Sequence, residues 1–117
     1  MDIQIVKTPV SIKYVTELAS MQFGNLIKAT VDITQNIMAL GGELHADEEQ
    51  LLLDKGSKQQ DLWGINLYPS KFGSQNFVEF DSMINIRPST GNMTRGVDSP
   101  VVRQQILDIV SRLVVEK

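Results

Sequence analysis

The sequence predicts an α+β domain: an antiparallel sheet of four strands, with a short N-terminal run as a fifth, two main helices on one face and a short helix between strands. Three patterns predict it. Two pairs of consecutive segments alternate apolar and polar residues with the two-residue period of a half-buried strand, and each pair is close enough in sequence to form a hairpin. Two other segments carry apolar residues at three-to-four spacing behind a helix-start signal. All of 1–117 is assigned to one domain, because a chain of this length buries roughly two thirds of its unfolded surface around a single core.

In chain order, the alternating run "IQIVK" at residues 3–7 is the N-terminal strand. Thr8 as N-cap and Pro9 as first helical residue open a helix over 8–23, whose stripe is Tyr14, Val15, Leu18 and Met21 and whose end is Gly24. From Leu26 to Thr34, Ile27, Ala29, Val31 and Ile33 share one parity, and "IMALGGEL" follows. A two-residue turn at Gln35 and Asn36 would set Ile33 against Met38, Val31 against Leu40 and Lys28 against Glu43. "ADEEQLLLDKG" gives a short helix from about Asp47 to Asp54, with acids at its positive end. Next, "LWGINLYP" and "FVEFDSMINIRP" form the second hairpin. Pairing Tyr68 with Phe77 sets Leu67 against Val78, Asn66 against Glu79, Gly64 against Asp81 and Trp63 against Ser82. Ser99 and Pro100 open the last helix, with Val102, Ile106, Ile109, Val110 and Leu113 as its inner stripe.

Composition narrows the function classes. No apolar run approaches the roughly 20 residues that span a bilayer, and the N-terminus lacks the basic opening and apolar block of a secretory signal, so the expected address is the cytoplasm and a membrane partner is disfavoured. With no cysteine there are no disulfides, thiolate metal sites or cysteine nucleophiles. The net charge is −3 and the eleven basic residues are dispersed, which disfavours a nucleic-acid partner.

The strand parity that the helices leave uncovered carries the candidate site. Arg87 comes first: its planar fork suits a carboxylate or phosphate, and it ends a strand beside a polar loop, "PSTGNMTRGVD", that leads to the N-terminus of the last helix. Asn85, Asn66, Tyr68, Asp81 and Arg95 complete the expected ligand-binding set. The plainer alternative is that Arg87 neutralises Asp81 or Glu79. Glu43, His45 and Asp47 fall at alternate positions and would project together from an extended chain as ligands of a divalent metal or as a general base with its orienting partner.

The stretches "GGELHAD", "DLWGINLYP" and "DSMINIRP" resemble the core of a family of short bacterial and archaeal proteins catalogued only as a domain of unknown function, a likeness running from about Thr8 to the last helix. The resemblance implies a stand-alone small protein and supplies no catalytic residue and no cofactor. The residues themselves predict a non-catalytic binding or assembly module. Its polar sheet face would hold an anionic small molecule, and pairing with a second copy as a homodimer would cover the sheet edges. The alternatives are a small hydrolase-like enzyme using Glu43, His45 or Asp47 with Arg87, and an RNA-acting, toxin-like protein, which the acidic balance disfavours.

Overall fold

The computed structural model describes residues 2–117, and its sheet grows outward from a strand buried on both faces. That strand is β3 (Ile27–Asp32), flanked by β4 (Ile37–Leu40) on one side and β5 (Leu62–Leu67) on the other. β1 (Gln4–Val6) lies outside β4 and β6 (Val78–Glu79) outside β5, and every pairing in this five-stranded sheet is antiparallel. The predicted fold class is therefore the one observed. Both edge strands are very short, which itself blunts an exposed edge.

One parity of the sheet, with Ile27, Val31, Met38, Leu40, Ile65 and Leu67, packs against α1 (Ile12–Ser20) and α3 (Pro100–Leu113), as the apolar stripes require. In α3 the caps are as expected: Ser99 Oγ accepts from the Val102 amide at 3.3 Å and Pro100 takes the first helical position. The other parity is not open. α2 (His45–Asp54) lies across it, with Leu52 and Leu53 against Ile5, Ala39 and Leu62. No helix among the described residues is long and apolar enough to cross a membrane.

Four expectations are corrected. The first helix begins at Ile12, not Thr8, because Val10–Ser11 forms β2, paired in parallel with β7 (Val114–Val115) at the far end of the chain. Ser11 then caps the helix, its Oγ accepting from the Tyr14 amide at 3.1 Å, and the helix ends at Ser20. The first hairpin is shifted by two residues: Val31 faces Met38 and Ala29 faces Leu40, across a loop of Ile33 to Asn36. The buried Asp32 carboxylate fixes that loop by accepting from the amides of Thr34 and Gln35, both at 2.9 Å, and Asn36 takes a left-handed φ of 59°. A shift of two preserves which face each residue occupies but changes its partner, so Gly41, not Glu43, bonds to Lys28.

The short helix starts at His45 rather than Asp47. Finally, the second hairpin has the predicted register, Asn66 opposite Glu79 and Leu67 opposite Val78, yet β6 stops at Glu79 instead of running to Arg87. Beyond it the chain turns over β5 and forms tight 3-10 turns at Met83–Asn85 and Pro88–Thr90.

Gly64 permits that turn. A Cβ built there would lie 2.5 Å from Ser82 Cβ and 3.1 Å from the His45 ring, so no side chain fits between β5 and its cover. Gly64→Ala is expected to lower the unfolding free energy by about 2 kcal/mol, the order found for overpacking a filled site. Urea denaturation checks this, and a loss below about 0.5 kcal/mol would mean that Ser82 retreats freely.

Candidate functional site

The covered polar parity of β5 brings together part of the expected site. His45, the first residue of α2, is turned inward with Nε2 2.7 Å from the Ile65 carbonyl oxygen. A carbonyl only accepts, so Nε2 carries the hydrogen and Nδ1 keeps its lone pair. Burial holds the His45 pKa below its ordinary value. The bond to Ile65 opposes that, Lys28 and Arg95 lower it further and Asp81 raises it, so the ring is neutral at pH 7.

Beside it Asn66, only 6 % exposed, donates through Nδ2 to Glu79 Oε1 at 2.9 Å and to the Asp81 carbonyl at 3.5 Å. The same Glu79 oxygen accepts the Tyr68 hydroxyl at 2.9 Å; burial, and then that carboxylate, push the phenol's pKa up. Arg95 Nε lies 2.7 Å from Asp81 Oδ1, forming the ion pair at the rim. With Nδ2 committed toward β6, Asn66 keeps Oδ1 for another partner, and its direct cross-strand neighbour on β3 is Lys28. That oxygen is buried and has no hydrogen-bond partner.

Of the expected ligand-binding set, Asn66, Tyr68, Asp81 and Arg95 thus share one patch, joined by His45 and Glu79. Asn85 and Arg87 do not join it. Asn85 is fully buried: its Oδ1 accepts from the Gly64 amide at 2.8 Å, and its Nδ2 donates to the Gly64 and Arg95 carbonyls, both at 2.9 Å. Arg87 lays its guanidinium over the Trp63 ring, 4.2 Å from the centroid, on the edge of the apolar core. It donates to the carbonyls of Gln59 at 3.1 Å, Gln60 at 3.2 Å, Leu62 and, through Nε, Ile84 at 3.3 Å. Four of its five N–H groups are thereby engaged with backbone, and it acts as a clamp on the turn Gln59–Asp61.

The loop after Arg87 is tightly knit: Asn92 is buried, donating to the carbonyls of Asn85, Thr94 and Gly96 and accepting from the Asp98 amide.

Glu43, His45 and Asp47 are not brought to one side. The helix begins at His45, so the alternation of an extended chain is lost; Glu43 and Asp47 are exposed while the imidazole is buried. Among the described residues no cluster of three His, Cys, Asp or Glu side chains is placed to hold a metal.

The residue that sequence reasoning missed is Glu48. It is fully buried, its Oε1 accepting from Thr30 Oγ1 at 3.0 Å and its Oε2 from the Gly42 amide at 2.9 Å. Burial pushes its pKa well above the ordinary carboxyl value, against the two hydrogen bonds and Lys28. The one signal available was the pair Gly41-Gly42 just before the helix, since a Cβ on Gly42 would lie 2.8 Å from Glu48 Cγ.

A family model described as protein of unknown function (DUF5674) matches residues 4–113. No curated protein and no solved structure matches the chain.

Two expectations follow from Arg87 and Glu48. Arg87→Lys should lose about 1–3 kcal/mol of stability by urea denaturation, because one ammonium cannot replace both the fork and the stacking plane; unchanged stability would remove the clamp. Glu48 holds its proton more tightly folded than unfolded. Its contribution is therefore full below the ordinary carboxyl pKa of 4.5 and declines as pH rises from there toward the folded pKa. Glu48→Gln, whose amide can still accept from Gly42 and donate to Thr30, should gain stability relative to wild type between pH 5 and pH 8 (about neutral to slightly alkaline conditions at the upper end). Denaturation curves at both ends test this, and a constant difference would contradict it.

Proposed function

Because the chain belongs to DUF5674, a family described only as protein of unknown function, its function rests on the site itself, and we propose that it is a non-catalytic binding module for a small acid. The ligand lies over β5 and β6, with Asn66 as its floor and Lys28 and Arg95 at its rim. The observation that carries the reading is Asn66 Oδ1, a buried acceptor without a partner beside a set of ionised side chains. A group left unpaired in that setting costs about 1–3 kcal/mol, which a ligand N–H or O–H recovers when the side chains closing over Asn66 part on binding. Lys28 and Arg95 both act on His45 electrostatically, so an anionic group beside the imidazole would be attracted by both, Arg95 while paired with Asp81. The ligand class is a small carboxylic or phosphoric acid that also carries a hydrogen-bond donor.

A second reading has its own support. His45 is neutral and oriented by the Ile65 carbonyl with Nδ1 free, the state that a general base requires. In that reading Glu79 or Asp81 stands where Glu43 and Asp47 were expected, and Arg95 where Arg87 was.

Calorimetric titration separates the readings with a panel of amino and hydroxy acids, the same acids without the donor, and inorganic phosphate. The donor-bearing acids are expected to bind, and Lys28→Gln and Arg95→Gln each to weaken binding by roughly tenfold, the scale of one charge-assisted bond. If no acid binds, or both variants bind as wild type does, the proposal is wrong. Chemical change of a bound acid, abolished in His45→Gln, would establish the second reading instead.

A further inference from the structure

The opposite side of β6 carries a second hollow, independent of the patch at His45. A groove of about 450 Å³ runs between the loop after β5 and the outer flank of α3, walled by Phe72, Phe77, Phe80, Leu107, Val110 and Val114. The alternation of β6 places it there: Glu79 looks to the polar patch, while Val78 looks into the groove. Phe72 and Phe77 meet edge to face, 5.2 Å between centroids at 88°, which leaves Phe72 37 % exposed across from Leu107 at 36 %. The volume falls in the range of small-molecule sites, and a lining of apolar and aromatic walls with polar groups between them, here Ser74, Gln75, Gln104 and Ser111, is usual for them.

One ionisable side chain lines it, Asp108. Its Oδ1 accepts from Gln104 Nε2 at 2.8 Å, and Oδ2 is left to accept another donor. The nearby cations are directed elsewhere. Arg112, one turn further along α3, donates to the Asn36 carbonyl at 2.8 Å; Arg103 lies over the Phe80 ring at 5.4 Å; Lys71 sits over the Tyr68 ring at 5.3 Å. An apolar channel whose one charged wall is a carboxylate favours a cationic head on an apolar body. We infer that the groove is a binding site for a small hydrophobic amine, its aryl or alkyl part between the phenylalanines and α3 and its ammonium on Asp108.

The test uses the whole chain and three matched probes: 2-phenylethylamine, 3-phenylpropionate and phenylethanol, followed by amide resonance shifts and by the melting temperature. The amine is expected to shift resonances of Phe72–Phe80 and of α3, and to bind at least fivefold more tightly than the acid or the alcohol. Asp108→Asn, on the exposed flank of α3, should keep the wild-type melting temperature and lose that preference. Equal binding of the three probes, or a preference surviving in Asp108→Asn, would overturn the inference. So would sedimentation of the wild type as a dimer that Leu107→Glu dissociates, since a second copy would then be what covers the groove.

Discussion

The side chain of Asn85 on the backbone of Gly64 is the contact from which the rest of the functional face follows. In a continuous second hairpin, the amide and carbonyl of Gly64 would be satisfied by the backbone near Asp81. Here one side-chain amide supplies both the acceptor and the donor, at 2.8 and 2.9 Å, so β5 is closed at that point without a strand beside it. Released from the ladder after Glu79, the chain is free to cross over β5. That crossing places Ser82 against Gly64, returns Arg95 to Asp81, and carries Arg87 to the ring of Trp63. A strand running on to Arg87 would have held its outward side chains in a row along the edge; the turn gathers some of them and sends the others to structural posts.

The second face shows how a sheet surface rich in polar groups is covered by protein rather than water. α2 has a weak apolar stripe, and of its residues His45, Glu48 and Leu52 are buried. It is held by Glu48 bridging Thr30 and Gly42 and by His45 bonded to Ile65, as much as by leucine packing. Such contacts are directional, so they fix where the helix sits more narrowly than greasy contacts do. They also explain why Gly42 and Gly64 recur beneath it: each leaves the room that a polar side chain above needs.

What could be read in the sequence was parity, and what could not was where the pattern stops. Ile27, Ala29 and Val31, with Trp63, Ile65 and Leu67, declare their buried side by alternation alone, and that declaration survives a register shift of two. The shift itself came from Asp32, whose side chain closes a longer loop than the Gln-Asn pair suggests; a carboxylate that bonds two amides ahead of it leaves no periodic trace. The end of β6 was hidden for a related reason. "DSMINIRP" alternates as a strand should, but Ser82 bonds the Ile84 amide and Asn85 bonds Gly64, and these side-chain contacts displace the ladder that the alternation implies. Arg87 illustrates the consequence for function: residue type identified a group able to bind an anion, whereas tertiary placement gave its donors to four carbonyls.

Recognition also fits the committed chemistry of the patch better than turnover does. An imidazole acting as a base needs a hydroxyl or water to activate and a group to steady the charge that develops. Of the nearby hydroxyls, Tyr68 donates to Glu79 at 2.9 Å, while Ser82 Oγ accepts from the Ile84 amide at 3.2 Å and keeps its own proton. Both carboxylates are likewise held, Glu79 by Tyr68 and Asn66, Asp81 by Arg95. What is left over at pH 7 is a lone pair on His45, an unpartnered oxygen on Asn66, and the charge of Lys28, while Arg95 stays on Asp81. Two fixed acceptors near the Lys28 ammonium are complementary to a molecule that brings a donor and a negative charge together.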